Sequence, residues 1–535
     1  MLTLHLRPRP ILLLKQILSA LFAILISLQF SGCQEAETHP WVIVPQPNTI
    51  TLEAGSFNFG AGINYQPHPK ALDGVLRSFQ SQLSELGVTA GTDASPEVIL
   101  RLSDQETMGV EAYQLDISPN SLVVTAATAK GAFYALTTIR QQLELSGTMQ
   151  LPVGRVVDSP RFAHRGFMLD ESRHFFGKEK VYQLLDLMAG LKLNTFHWHL
   201  TDDPGWRLAI TAFPKLATIG GLGNHTNPDA PAQYYSQEEI KAIVRYAADR
   251  FITIIPEIDM PGHARAANRA YPQFSGGGSE KHPDFTFHPG KEATYGHLTT
   301  ILREVAALFP DEYIHIGGDE VHFGNEQWAN NKEVSALMAR EGLNDLVDVE
   351  HYFLRRMADS LATMNRRLAG WDEVIASGIP NEEALVFWWR HDKKDQLDRA
   401  LSQGFNTILC PRRPLYFDFV QHEDHKNGRR WDGFAPIEDV YGYPDNIHQF
   451  SADELALIQG IQANLWTERI PNNDWVDFMT FPRLFALGEA AWTQETNKDL
   501  ANFKGRLPAL FTFIDKKGVG YFNNLHPEQS PEPSY

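Results

Sequence analysis

Thr253-Ile254-Ile255-Pro256-Glu257 is an apolar run ending on a carboxylate, and Asn194-Thr195-Phe196-His197-Trp198-His199-Leu200, closed by Asp202-Asp203, is built the same way. A short apolar run with a polar end reads as a strand buried on both faces. The same reading applies at 166–170, 313–317, 367–371, 384–389, 406–410 and 461–465. Amphipathic stretches at 178–190, 237–250, 295–309 and 347–364 lie between most of them, with apolar residues at helical spacing. Eight strand–helix alternations over roughly 350 residues predict a (β/α)₈ barrel, a fold that takes ~250 and grows by insertion. The barrel is placed at 161–522.

Outward from the barrel the pattern changes. Over 34–160, Tyr113, Leu115 and Ile117 alternate with Gln114 and Asp116, a half-buried strand. Leu122-Val123-Val124-Thr125 is its partner across the Ser118-Pro119-Asn120-Ser121 turn. One helix is predicted at 128–143, with Ala132, Ala135, Leu136 and Ile139 on one face. This region reads as a small α/β domain without a catalytic constellation. Residues 523–535 form a polar Pro/Glu/Ser tail.

Composition narrows the function. The 535 residues are 43% hydrophobic and 21% charged, as in folded rather than disordered chains. A formal charge of −18 argues against nucleic acid as a partner, because such binding rests on a basic footprint. Two cysteines, Cys33 and Cys410, exclude a disulfide scaffold and a cysteine-based zinc site; Cys410 reads as a buried thiol. Arg7, Arg9 and Lys15 precede an apolar run at 17–28, followed by Phe30-Ser31-Gly32-Cys33. This order reads as a secretory signal, and its end resembles a bacterial lipobox with Cys33 as the lipidated residue. The expectation is an exported chain, lipid-anchored to a bacterial membrane at the outer membrane or the periplasmic face. Loss of the leader's three cations takes the charge from −18 to −21. No other apolar run approaches the ~20 residues needed to span a bilayer.

In barrels of this kind the site lies at the C-terminal ends of the strands. Those ends carry, in order, Asp170 and Arg173; His199 and Asp202-Asp203; Glu257, Asp259 and His263; Asp319-Glu320; Trp371, Asp372 and Glu373; Trp389 and Arg390; Tyr416 and Asp418; and Trp466 and Glu468. Carboxylates do acid–base work, an arginine holds two oxygens at once, and indole faces stack on pyranose rings. The convergence points to a sugar. Asp319-Glu320 follows Gly317-Gly318 at a strand end, which favours a site over a solvated turn. Trp388 should alternate away from Trp389 and pack in the core, and Trp206 and Arg207 are assigned to loop structure. His197-x-His199 raises a metal-dependent hydrolase as an alternative. Later strand ends offer Trp371, Trp389 and Trp466 where further ligands would be needed, so neither metal nor cofactor is expected.

Four blocks carry a family resemblance: Arg165-Gly166-Phe167-Met168-Leu169-Asp170 with Ser172-Arg173-His174-Phe175-Phe176; His197-Trp198-His199-Leu200-Thr201-Asp202-Asp203-Pro204-Gly205-Trp206-Arg207; Pro256-Glu257-Ile258-Asp259-Met260-Pro261-Gly262-His263; and His315-Ile316-Gly317-Gly318-Asp319-Glu320. Together they resemble the β-N-acetylhexosaminidases of glycoside hydrolase family 20, over about 45–522. The resemblance implies an N-terminal α/β domain beside a (β/α)₈ catalytic barrel. It makes Glu320 the general acid, with a raised pKa helped by its neighbour Asp319. Asp319 would hold the substrate's 2-acetamido N–H while the acetamido oxygen attacks the anomeric carbon, giving a retaining reaction through an oxazolinium. Tyr416 would donate to that oxygen, and Trp371, Trp389 and Trp466 would wall the acetamido methyl. Arg173 matches a contact to O3 and O4, and Asp418 and Glu468 match contacts to O6 and O4, an arrangement open to gluco and galacto substrates. Asp202 and His263 resemble a relay behind Glu320, with Asp259 a supporting carboxylate. The implied partner is a glycan ending in β-linked N-acetylhexosamine, cleaved from its non-reducing end. A surface lipoprotein that only binds glycans is the other alternative, but a binder needs no protonated Glu320. The basic segment Pro411-Arg412-Arg413-Pro414 and the region 422–445 match the family weakly; Trp431 there is placed at the rim.

Overall fold

The computed structural model describes residues 41–534 apart from Ala94, Asp432, Asp445 and Asn446. The leader and the Cys33 lipobox lie outside these described residues. The first part is a six-stranded mixed sheet of β1 (Thr49–Asn58), β2 (Asn64–Tyr65), β3 (Glu97–Leu102), β4 (Tyr113–Ile117), β5 (Ser121–Ala126) and β6 (Gln150–Asp158), in the order β1-β6-β4-β5-β3-β2. The predicted hairpin is β4–β5, with Tyr113 opposite Ala126 and Ile117 opposite Leu122. Two helices, not one, belong to this region. Helix α1 (Asp73–Glu85) buries Val75, Leu76, Phe79 and Leu83. Helix α2 (Ala129–Ser146) starts at Thr128, whose side chain accepts from the Lys130 and Gly131 N–H groups, and stops at Gly147 in the left-handed conformation.

The eight predicted strands are present and close into a parallel barrel. They are β7 (His164–Asp170), β8 (Thr195–Thr201), β9 (Thr253–Ile258), β12 (Tyr313–His315), β13 (Arg367–Trp371), β14 (Ala384–Trp388), β15 (Asn406–Leu409) and β16 (Ile458–Leu465), with β16 returning to pair with β7. A small hairpin of β10 (Ser275–Gly277) and β11 (Thr286–Phe287) is inserted after β9. Helices α3 (Lys178–Gly190), α4 (Gln237–Ala248), α5 (Glu292–Leu308), α6 (Leu346–Ala362) and α7 (Lys394–Ser402) follow their strands, and α8 (Arg483–Trp492) and α9 (Leu500–Lys516) follow β16. Apolar strand faces and helix stripes meet in one large core that includes Leu169, Phe196, Trp198, Ile254, Leu298, Phe353 and Leu484. Trp388 packs in that core, as alternation requires. Among the described residues, no helix is long and apolar enough to cross a membrane.

Polar ties join the first sheet to the base of the barrel. Lys192, just before β8, donates to Asp158 Oδ2 and to the Tyr113 hydroxyl, both at 2.9 Å. Trp492 Nε1 donates to the same Asp158 oxygen at 3.0 Å, and Arg165 Nη1 reaches Glu111 at 2.7 Å. The tail also returns to the fold: Glu532 accepts from the backbone N–H groups of Lys426 and Asn427, each at 2.9 Å.

Candidate active site

β12 is shorter than the apolar run predicts, because the chain leaves the ladder at Gly317 and Gly318, with φ of +69° and +90°. A Cβ on Gly317 would stand 1.8 Å from Asp259 Oδ1, so only glycine lets the backbone pass over that carboxylate. The turn delivers Asp319 and Glu320 to the mouth. Glu320 itself is left-handed at φ +52°, as is His263. Two non-glycine residues in this sparsely populated region, facing each other, mark a place where geometry overrides local preference.

His263 links the pair to the barrel. Its Nε2 lies 3.6 Å from Asp319 Oδ2 and 3.7 Å from Glu320 Oε2, and its Nδ1 hydrogen-bonds Asp202 Oδ1 at 3.0 Å. Asp202 Oδ2 accepts from His199 Nε2 at 2.9 Å and from Arg173 Nη2 at 2.6 Å. Burial disfavours a charged His263, but Asp202, Asp259 and Asp319 outweigh it and hold the imidazolium well above its ordinary pKa. Asp259 lies beneath Gly317; burial and the nearby Asp319 charge push its carboxyl well up.

Four aromatic residues form the walls. Trp371 and Trp466 lie 5.8 Å apart between ring centroids, and Tyr416 stacks on Trp389 at 6.4 Å with 12° between planes. Each wall is fixed from behind: Trp371 Nε1 donates to Glu257 Oε1 at 2.9 Å, and Trp389 Nε1 donates to Glu373 Oε2 at 3.1 Å. Arg173 lies over the Trp466 ring at 5.0 Å and bonds Asp170 Oδ2 at 3.3 Å. Asp418 and Glu468 are brought together by Arg429, whose Nε donates to Asp418 Oδ2 at 2.6 Å and Nη2 to Glu468 Oε1 at 2.7 Å. The pocket so formed has an empty volume of about 550 Å³ up to its open mouth, within the range of small-molecule sites. Arg173, His263, Asp319, Glu320, Trp371, Trp389, Tyr416, Trp466 and Glu468 all line it, while Asp202 and Asp259 stand behind.

One participant, Arg429, escaped the sequence reading of the site, and two others, Glu257 and Glu373, were read without their partners. Arg429 sits in the poorly matching region, and nothing in its local sequence ties it to Asp418. Glu257 and Glu373 were visible at strand ends, but their indole partners were not. Trp431, placed at the rim, is 59% exposed and lines the pocket with Phe419 and Arg412.

The protonation pattern differs from the expected one. Burial drives the Asp319 carboxyl up, to about 7, with the Glu320 charge adding to the effect against His263. Burial also acts on Glu320, but His263 and Arg173 outweigh it and leave that carboxyl below its ordinary value. Of the two carboxyls, Asp319 therefore has the higher proton affinity, because it is the more deeply enclosed.

The barrel interior beneath holds a second cluster. Glu257 is fully buried; its Oε2 is 2.5 Å from His199 Nδ1 and 3.0 Å from His197 Nε2, and its Oε1 is 3.0 Å from His315 Nδ1 as well as bonded to Trp371. His197, Glu257 and His315 have the spacing of metal ligands. Each Glu257 oxygen nevertheless has one donor, Trp371 Nε1 on Oε1 and His199 Nδ1 on Oε2, while His315 Nδ1 accepts from the Gly317 N–H. Gln462 Nε2 donates to His197 Nδ1 at 3.0 Å, which directs the ring's other nitrogen toward Glu257.

Residues 162–495 match the catalytic domain of glycosyl hydrolase family 20, and residues 41–159 match domain 2 of the same family. A β-hexosaminidase of Porphyromonas gingivalis is 33% identical over 511 residues, 91% of this chain and 65% of that protein, so the chain spans just under two thirds of this relative's length. A β-hexosaminidase of Vibrio furnissii is 34% identical over 83% of this chain and 75% of its own length. The crystal structure of the family 20 exo-β-N-acetylglucosaminidase of Vibrio harveyi, in complex with N-acetylglucosamine, superposes with a TM-score of 0.82 at 33% identity, covering 90% of this chain and 78% of that one. With the closed barrel, the acid pair at its mouth and these matches across both parts, the chain belongs to glycosyl hydrolase family 20 and is a glycosidase.

Proposed function

We propose that the chain removes terminal, non-reducing β-linked N-acetylhexosamine residues from glycans by a retaining, substrate-assisted reaction. One observation carries this reading: Asp319 and Glu320 both approach the same His263 nitrogen, at 3.6 and 3.7 Å. Two carboxylates on one side of a pocket do not flank a sugar as a nucleophile and an acid do. The nucleophile is then the acetamido oxygen of the substrate. Glu320 gives its proton to the leaving glycosidic oxygen as the acetamido oxygen closes on the anomeric carbon. Asp319, ionised, accepts a hydrogen bond from the acetamido N–H, which stays on nitrogen, and so stabilises the positive charge of the oxazolinium. With substrate bound, Glu320 carries the proton and Asp319 the charge. Glu320 next takes a proton from water as that water opens the ring from the β face. Tyr416 donates to the acetamido oxygen, and Trp371, Trp389 and Trp466 press the methyl into place, making the attack intramolecular. Arg173, Glu468 and the Asp418–Arg429 pair close the far end of the pocket, which supports exo-action.

The test is hydrolysis of a β-linked N-acetylglucosaminyl disaccharide followed by NMR. The β-anomer should appear first, and an aryl β-glucoside without the acetamido group should be almost inert. Initial release of the α-anomer, or comparable rates on the glucoside, would overturn the reading. We also infer lipid anchoring at Cys33, supported by the leader and by Ser31-Gly32 before it. Cys33→Ser should block processing and move the protein out of the membrane fraction; unchanged fractionation would remove the inference.

A further inference from the structure

Catalysis as described uses the floor and one side of the pocket and leaves the mouth unassigned. Arg412 lines that mouth, in the same pocket as Glu320. Its guanidinium carbon lies 5.1 Å from the Trp389 ring centroid and 5.0 Å from that of Trp431, so the charge sits between two indoles. Trp389 belongs to the acetamido wall, whereas Trp431 presents an open face to solvent, 59% exposed and braced edge-on by Phe419 at 5.3 Å. The Arg412 side chain pairs with Asp392, whose own side chain is 56% exposed, and its Nε has neither solvent nor a hydrogen-bond partner. The nearby arginines are differently placed. Arg429 serves Asp418 and Glu468, and Arg430 donates to the carbonyl oxygens of His425 and Glu423. In a chain of charge −18, a cation thus lines the same pocket as Glu320, the acid that serves the leaving group in the reading above.

We propose that the Trp431–Arg412 face is a subsite for the leaving-group sugar that selects sugars bearing an anionic group, a carboxylate or a sulfate ester. An indole face accepts the apolar side of a pyranose. A guanidinium offers a planar fork that matches an oxyanion, and aromatic flanks keep water from competing for it. Asp392 is the resident competitor, but its carboxylate is open to solvent, which weakens the pair and lets it yield to a ligand also held by stacking. The proposal rests on the hexosaminidase reading, since it concerns the sugar that Glu320 releases.

The experiment compares kcat/KM for three disaccharides, each with a non-reducing β-linked N-acetylglucosamine, on a neutral, a carboxylate-bearing or a sulfated second sugar. p-Nitrophenyl N-acetylglucosaminide, which has no second sugar, is the reference. At least one acidic disaccharide should exceed the neutral one by roughly tenfold, and the two acidic arms identify which anion the fork accepts. Arg412→Gln should bring the ratio near one. Asp392→Asn, which removes the competitor, should leave the reference rate unchanged and widen the ratio. A wild-type ratio of one, a ratio that survives Arg412→Gln, or a ratio that Asp392→Asn leaves unmoved would overturn the subsite. A wild-type protein inert on the reference as well would overturn the hexosaminidase reading with it, so the two failures are distinguishable.

Discussion

Asp319 and Glu320 are adjacent in the chain and opposite in proton affinity, and the difference is one of surroundings. Asp319 is pushed to about 7 by burial, while His263 and Arg173 keep Glu320 low. Asp319 therefore holds a proton up to about 7 and releases it above. kcat/KM should therefore fall as pH rises through about 7, because the doubly ionised pair has no proton for the leaving oxygen. A kcat/KM flat to pH 9 would contradict this. The same shift bears on stability. A carboxyl raised in the folded state stabilises the fold below its unfolded value, about 4, and that contribution is lost as pH rises through the folded value. Asp319→Asn removes a charge that the fold resists, so at pH 8 it should melt above the wild type, by roughly 1–3 kcal/mol, with the gap closing toward pH 4. It should also slow even activated aryl glycosides, because ring closure itself is impaired, whereas Glu320→Gln should hurt most where the leaving group needs a proton. Residues of this kind were legible in the sequence because each stands at the end of an apolar strand; their relative proton affinities were not, because these depend on enclosure by loops distant in sequence.

At the scale of elements, strand ends were readable because a run buried on both faces has abrupt polar limits. The predicted 367–371 and the observed β13 coincide, while β12 stops at His315 because Gly317 and Gly318 turn away. Strands β1, β2, β3 and β6 and helix α1 were not assigned individually, since alternation in a sheet covered on one face is a weaker signal than a continuous apolar run. What one strand does for its neighbours was also hidden. Glu257 at the end of β9 receives the Trp371 indole from β13 and His199 from β8, and through His199 and Asp202 it reaches His263. One buried carboxylate thus steadies both the Trp371 wall of the pocket and the His199–Asp202–His263 chain behind the acid pair. Glu257→Gln leaves the His199 imidazolium with Asp202 as its one remaining carboxylate partner, so the loss should fall below the ~3–5 kcal/mol that stranding a buried charge costs. Calorimetry should register that loss, and kcat on poor leaving groups should fall more than on activated aryl glycosides; an unchanged melting temperature would show that His199 relaxes into another partner. Because the Glu257 oxygens are occupied within the cluster, a chelator should leave activity intact, and a loss restored by one divalent ion would assign the cluster a catalytic metal instead.

Over the whole molecule, the reaction occupies one end of the barrel and the attachment of the first sheet occupies the other. Lys192 precedes β8 and Asp158 ends β6, so their contact lies at the N-terminal face of the strands, which in barrels governs stability rather than chemistry. Both side chains are almost fully enclosed, at 2% and 0% exposure. Asp158 also accepts from the Tyr113 hydroxyl at 2.6 Å and from the Trp492 indole, so a single carboxylate collects donors from both parts of the chain. Burial lowers the Lys192 pKa against the pull of Asp158, a sign that the ammonium depends on that partner. Asp158→Asn should then cost about 3–5 kcal/mol, because it strands a buried cation, whereas Asp158→Asn combined with Lys192→Met should recover much of the loss, because a neutral pair of similar volume has no desolvated charge to support. Thermal melts of the two single variants and the double variant measure the coupling. All three should keep wild-type kcat below their melting temperatures, since the acid pair and its walls lie at the opposite face. Simple additivity of the two single losses would mean that Lys192 and Asp158 do not act as a pair. A fall in kcat without a fall in melting temperature would mean that the first domain takes part in catalysis rather than only bracing the barrel.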